Sequence, residues 1–133
     1  MDLGILHGKE QKWEKSLTNH FKSLGIKQKL YPDGNHLDIA ISYFNIGSVY
    51  YSIGDYDKAV DYYKKSLQIK RRILSRNNVK LATSYLAIGL SHEKAGRFTL
   101  AVNNYEKAEA IYRLHNHPDM TKVRYRIQTI IKN

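Results

Sequence analysis

The sequence predicts an all-α solenoid, a stack of antiparallel helical hairpins with a further helix covering each end. Three observations carry that expectation. First, residues 40–69 lie over residues 82–111 at a constant step of 42 residues: Ala40 meets Ala82, Tyr43 Tyr85, Ile46 Ile88, Gly47 Gly89, Gly54 Gly96, Ala59 Ala101, Tyr63 Tyr105 and Ile69 Ile111. A step held while small, aromatic and aliphatic residues each fall on their own kind marks a repeat architecture. Second, each copy is broken near its middle by a glycine, as a helix–turn–helix unit requires. Third, the flanking segments carry helical apolar stripes that need a surface to cover.

Taken in order, residues 9–25 read as one amphipathic helix. Trp13, Leu17, His20, Phe21 and Leu24 share one side, Lys12, Lys15, Asn19 and Lys22 take the other, and Gly25 is the expected stop. YPDGNH, 31–36, is turn chemistry, with proline fixing φ and Asp-Gly permitting a reversal. The first hairpin begins near Ile39, its first helix carrying Ala40, Tyr43, Ile46, Gly47 and Tyr50 and ending near Gly54. Asp55 then offers an N-cap oxygen to a second helix that buries Ala59, Tyr63, Leu67 and either Ile69 or Lys70. Small residues at Gly47 and Ala59 let the two helices approach.

The second hairpin repeats this with Gly89, Gly96 and Ala101, while Tyr85, Leu86, Ile88 and Tyr105 fill the seams and His92 replaces Tyr50 as a packing substitution. Pro118 and Asp119 open a last helix whose stripe is Met120, Val123, Ile127, Ile130 and Ile131. HPDMT, 117–121, aligns with HLDIA, 36–40, so this helix reads as the first of a third unit, stopping before a second helix and capping the stack. The expected division is therefore 1–36, an N-terminal capping helix and turn; 37–78 and 79–118, two full units; and 119–133, the C-terminal capping helix.

Composition narrows the function. With 42% hydrophobic and 26% charged residues, the chain is globular rather than disordered. It has no cysteine, which excludes disulfides and thiolate metal sites. No run of 18 apolar residues, cleavage-type leader or Asn-x-Ser/Thr sequon occurs, so a soluble cytoplasmic protein is expected. The net charge of +10 is spread over Lys9 to Lys29, a cluster of Lys70, Arg71, Arg72, Arg76 and Lys80, and a group of Lys122, Arg124, Arg126 and Lys132. Solvated helix faces account for such a spread, and an anionic partner is the alternative.

Catalysis has no foothold. No phosphate-binding glycine loop, HExxH or GxSxG motif occurs, so no catalytic residue is assigned. Asp55 and Asp57 resemble the opening of a calcium loop but lack its sixth-position glycine and twelfth-position glutamate. His115, His117 and Asp119 have the donors for a metal, yet beside Pro118 they read as connection chemistry. Neither cofactor nor metal is expected.

The order Tyr43, Ile46, Gly47, Tyr50, Gly54, Ala59, Tyr63, Ser66, repeated as Tyr85, Ile88, Gly89, His92, Gly96, Ala101, Tyr105, Ala108, resembles the tetratricopeptide repeat (TPR). The usual TPR step is about 34 residues. The longer step here, with HLDIAISYFNIG and HPDMTKVRYRI, resembles the kinesin light chain type, whose inter-repeat loop is extended. The resemblance implies a TPR superhelical solenoid, a non-catalytic scaffold or adaptor whose first helices line a concave groove.

Carried over position by position, the groove takes Ile41, Phe44, Asn45, Ser48, Tyr51 and Ser52 from the first unit and Thr83, Leu86, Leu90, Glu93 and Lys94 from the second. Lys122, Tyr125, Arg126 and Thr129 come from the third. Asn45 stands where kinesin light chain repeats place a groove asparagine, and Ala87 and Arg126 hold that position in the next units. Lys122 and Arg126 also match the last unit of a co-chaperone carboxylate clamp, whose earlier positions Phe44, Ser48 and Ala87 do not supply.

The expected partner is a protein or peptide segment with apolar and acidic residues, oriented by Asn45, Lys122 and Arg126. No membrane partner is expected. Nucleic-acid binding through the basic cluster is the competing class, and self-association through an open end is a further alternative.

Overall fold

The computed structural model describes residues 3–132. Residues 1, 2 and 133, which bound the outer units drawn from the sequence, lie outside the described residues. Six helices follow one another: α1 (Leu3–Leu30), α2 (Leu37–Ile53), α3 (Tyr56–Ile73), α4 (Val79–Lys94), α5 (Phe98–Leu114) and α6 (Asp119–Lys132). Each packs chiefly on its neighbours in sequence, most closely within the α2–α3 and α4–α5 hairpins, which is the contact pattern of a solenoid.

The repeat is visible atom by atom. A Cβ added at Gly47 would stand 2.8 Å from the Tyr63 ring, and one at Gly89 would stand 2.6 Å from the Tyr105 ring. Each tyrosine ring therefore lies directly against a glycine backbone, and that is what the hairpin glycine is for. Ala59 and Ala101, both fully buried, bring the opposing backbone to the same place. Gly54 closes α2 at φ 95°, its N–H donating to the carbonyls of Tyr50 and Tyr51. Asp55 Oδ1 accepts from Lys58 N at 3.2 Å to start α3.

Two of the three unit starts, those of α2 and α6, share a different cap. His36 Nδ1 accepts the Asp38 N–H at 3.0 Å and His117 Nδ1 accepts the Asp119 N–H at 3.1 Å. Tyr31 stacks on the first imidazole and Tyr112 on the second. His115 is engaged as well, its Nε2–H donating to the Asn77 carbonyl at 2.6 Å. Asp57 pairs with Arg97 at 2.9 Å. These residues have structural employment.

Three expectations need correction. The first helix runs from Leu3 to Leu30 rather than over 9–25, and Gly25 lies inside it. A lone interior glycine costs only about 1 kcal/mol, and residues on both sides of it, Leu24 in the core and Lys27 with Nζ 3.0 Å from Ser42 Oγ, hold the helix on α2. Pro32 is the effective stop, because the residue before a proline is driven out of helical geometry. Phe21, placed on the covered stripe, is 39% exposed and touches Tyr62 edge-on. Ile131 is 67% exposed: only Val123 of the α6 stripe is fully buried, with Met120, Ile127 and Ile130 packed beside it. Adjacent residues stand about 100° apart on a helix, so Ile130 and Ile131 cannot share one contact.

Candidate functional site

The site-lining residues come mainly from the faces of α2, α4 and α6 that their packed neighbours leave open. Phe44, Tyr51, Thr83, Leu86 and Leu90 converge on one cleft of about 240 Å³, together with Tyr63 and Ala87. Lys122, Tyr125 and Arg126 converge on a neighbouring cleft of about 490 Å³, with Glu93, Thr121 and Thr129. Leu90 and Glu93 are three residues apart on α4, so this helix forms the wall between the two. Ile41, Asn45, Ser48 and Ser52 line neither cleft. Ile41 is exposed, Ser52 Oγ donates back to the Ser48 carbonyl, and Ser48 Oγ donates to the Phe44 carbonyl. Among the described residues none hydrogen-bonds the Asn45 amide. Lys94 is exposed and outside both clefts.

Two features escaped the sequence pattern. The packing tyrosines also shape the groove: Tyr63 Oη donates to Ser48 Oγ at 3.1 Å, and Tyr105 Oη donates to Glu93 Oε1 at 2.6 Å. Their 42-residue spacing was legible, but it located only the rings and not where the hydroxyls end. Burial raises the pKa of both phenols, and at Tyr105 the Glu93 hydrogen bond raises it further, so both remain hydroxyl donors at neutral pH. Glu93 also receives Arg126 at 3.5 Å. The basic end of the groove is therefore a Lys122 with a partly compensated Arg126 beside it, less cationic than the sequence alone implies.

Lys70 belongs to the interior rather than to a surface cluster. It is 7% exposed, with Nζ donating to Ser84 Oγ at 2.9 Å and lying 4.7 Å from the centre of the Phe44 ring. Burial, and then the nearby Lys80 charge, lower its pKa to about 8. The amine thus buttresses the apolar cleft from behind. Lys27 to Ser42 makes the equivalent bridge one seam earlier. His92 is likewise buried, accepting from Arg97 Nε at 2.9 Å, and burial followed by the Arg97 charge lowers its pKa. A neutral imidazole in the core is what a packing substitution requires.

Among the described residues no helix is long and apolar enough to cross a membrane, and no group of three or more His, Cys, Asp or Glu side chains is placed to hold a metal ion.

Comparison with known proteins agrees with this architecture. Among solved structures, BtubC (BKLC) from P. vanneervenii superposes with a TM-score of 0.72 at 23% identity, covering 87% of this chain and 47% of that one. This chain spans about half the length of BtubC. The N-terminal domain of stress-induced protein-1 (STI-1) from C. elegans superposes with a TM-score of 0.67 at 19% identity, covering 97% of this chain and 89% of that one. At these identities the likeness is one of fold. No curated protein matches the sequence. The tetratricopeptide repeat model matches residues 1–72 and again 54–113. With that match on a stack of hairpins sharing a 42-residue step, the chain belongs to the tetratricopeptide repeat family.

Proposed function

We propose that this protein is a non-catalytic scaffold that captures an extended peptide segment in the groove formed by α2, α4 and α6. Membership of a protein-interaction family supports the general role. The observation that carries the specific one is the pairing of an apolar cleft, floored by Phe44, Leu86 and Leu90, with an adjoining cleft that presents Lys122 and Arg126. An aliphatic or aromatic anchor would fill the first, a carboxylate beside it would meet Lys122 and compete with Glu93 for Arg126, and the peptide's main chain would hydrogen-bond Asn45. Units at 37–78 and 79–118, flanked by helices at 1–36 and 119–133, and a cytoplasmic setting complete the reading.

Peptide display on the immobilised protein tests it. Selected segments should combine an apolar anchor with acidic neighbours, and Leu90→Glu should weaken their binding at least tenfold. Lys122→Glu should act mainly on those carrying acids. Selection of segments with no common anchor, or indifference to Leu90→Glu, would dismiss the groove as the binding surface.

A further inference from the structure

A third cleft, about 590 Å³, shares no lining residue with the groove. It opens where the end of α3, the loop after it, α4 and α5 meet. Its floor is aliphatic, formed by Leu74, Leu81 and Ile111, and its rim carries Arg71, Arg76 and Lys107 with no carboxylate in the lining. That volume is within the range of sites that take a compact ligand, about 300–1,000 Å³.

The rim cations stand out against the other arginines. Arg97 pairs with Asp57, Arg113 and Arg124 with Glu109, and Arg126 with Glu93, while Arg72 donates to the Asn35 amide oxygen. Among the described residues, Arg71 and Arg76 have neither a carboxylate nor an amide partner. Lys107 is held with its ammonium 5.5 Å from the centre of the Tyr85 ring. The loop that presents Arg76 is tied down at the next residue, where the Asn77 carbonyl accepts from His115. Three cations thus converge on one apolar hollow without internal neutralisation, two of them with the forked donors that suit phosphate.

We propose that this cleft binds a phosphorylated side chain of a partner protein, with an aliphatic neighbour of the phosphorylated residue seated on Leu74, Leu81 and Ile111. A phosphate monoester carries about 1.5 to 2 negative charges at neutral pH, closer to the three rim cations than a single carboxylate. A nucleobase fits less well, because the ring that would stack it, Tyr85, already has Lys107 over its face. The proposal is independent of the groove: a partner could be held by the groove constitutively and by this cleft only after phosphorylation.

The test is an array of nonapeptides with a central phosphoserine and degenerate flanks, beside the same array unphosphorylated, with AMP and phosphatidylserine vesicles as competitors. Phosphorylated peptides should bind at least tenfold more tightly, with aliphatic residues enriched next to the phosphoserine. Arg71→Ala with Arg76→Ala should abolish that preference while helicity is retained, whereas Leu90→Glu in the groove and Arg124→Ala outside the cleft should leave it intact. Equal binding of the two arrays, indifference to the double arginine variant, or displacement by AMP or vesicles as effective as by phosphopeptide would overturn the proposal.

Discussion

Two glycines with opposite environments show what single residues do here. A methyl at Gly89 would press to 2.6 Å from the Tyr105 ring, whereas one at Gly25 meets nothing within 4 Å. Gly89→Ala should therefore cost about 1–3 kcal/mol through overpacking. Gly25→Ala should gain about 0.5–1 kcal/mol from helix propensity. Thermal unfolding of the two variants checks both signs, and a destabilised Gly25→Ala would mean that α1 does not run through residue 25. Lys70 has its own signature. Its folded pKa of about 8 lies below its ordinary 10.5, so the unfolded chain holds more protons between those values and stability rises with pH across that window. Below about 8 both states are protonated and the full burden of the buried cation is present. Lys70→Met should remove this slope, leaving the variant relatively more stable below pH 8 than above it, as urea titrations at pH 7 and pH 9.5 would show. The alignment marks Gly89, whereas for Lys70 the sequence leaves surface cation and core residue equally open, because a lysine stem packs with apolar residues in either case, and the distance to Ser84 decides it.

Elements follow the sequence where ends are chemically marked. Gly54 and Asp55 carry the α2–α3 turn in their own side chains or lack of one, so the boundary was legible. The imidazole cap of α6 was not, since histidine is an uncommon cap and its role emerges only when Tyr112 stacks on the ring and sets Nδ1 toward the Asp119 N–H. His117→Ala should cost about 1 kcal/mol, while His117→Asn retains an acceptor and most of the stability. Hydrogen exchange should show faster opening of α6 in the alanine variant alone; unchanged exchange would reduce the cap to an incidental contact. The overlong α1 teaches the converse. Gly25 is a stop signal by propensity, and the packing of α1 on α2 on both sides of it overrides that weak preference.

Over the whole molecule, the sequence by itself determined the architecture. A 42-residue periodicity carries glycine, alanine and tyrosine to equivalent places, and equivalent places in a stack have equivalent neighbours. Which helices line the proposed groove came from the tetratricopeptide resemblance, since periodicity alone does not say which face of a stack is concave. Tertiary structure decided which polar groups are free within that frame. Arg126 and Arg71 are alike as letters, yet Glu93 occupies one and no described carboxylate meets the other. The repeat places the rings of Tyr63 and Tyr105 in the packing, and only their depth across the hairpin brings their hydroxyls to Ser48 and Glu93. Periodicity is a property of the backbone path and survives in one dimension. The pairing of charges depends on distances between side chains from different helices, and those are set only once the helices have stacked.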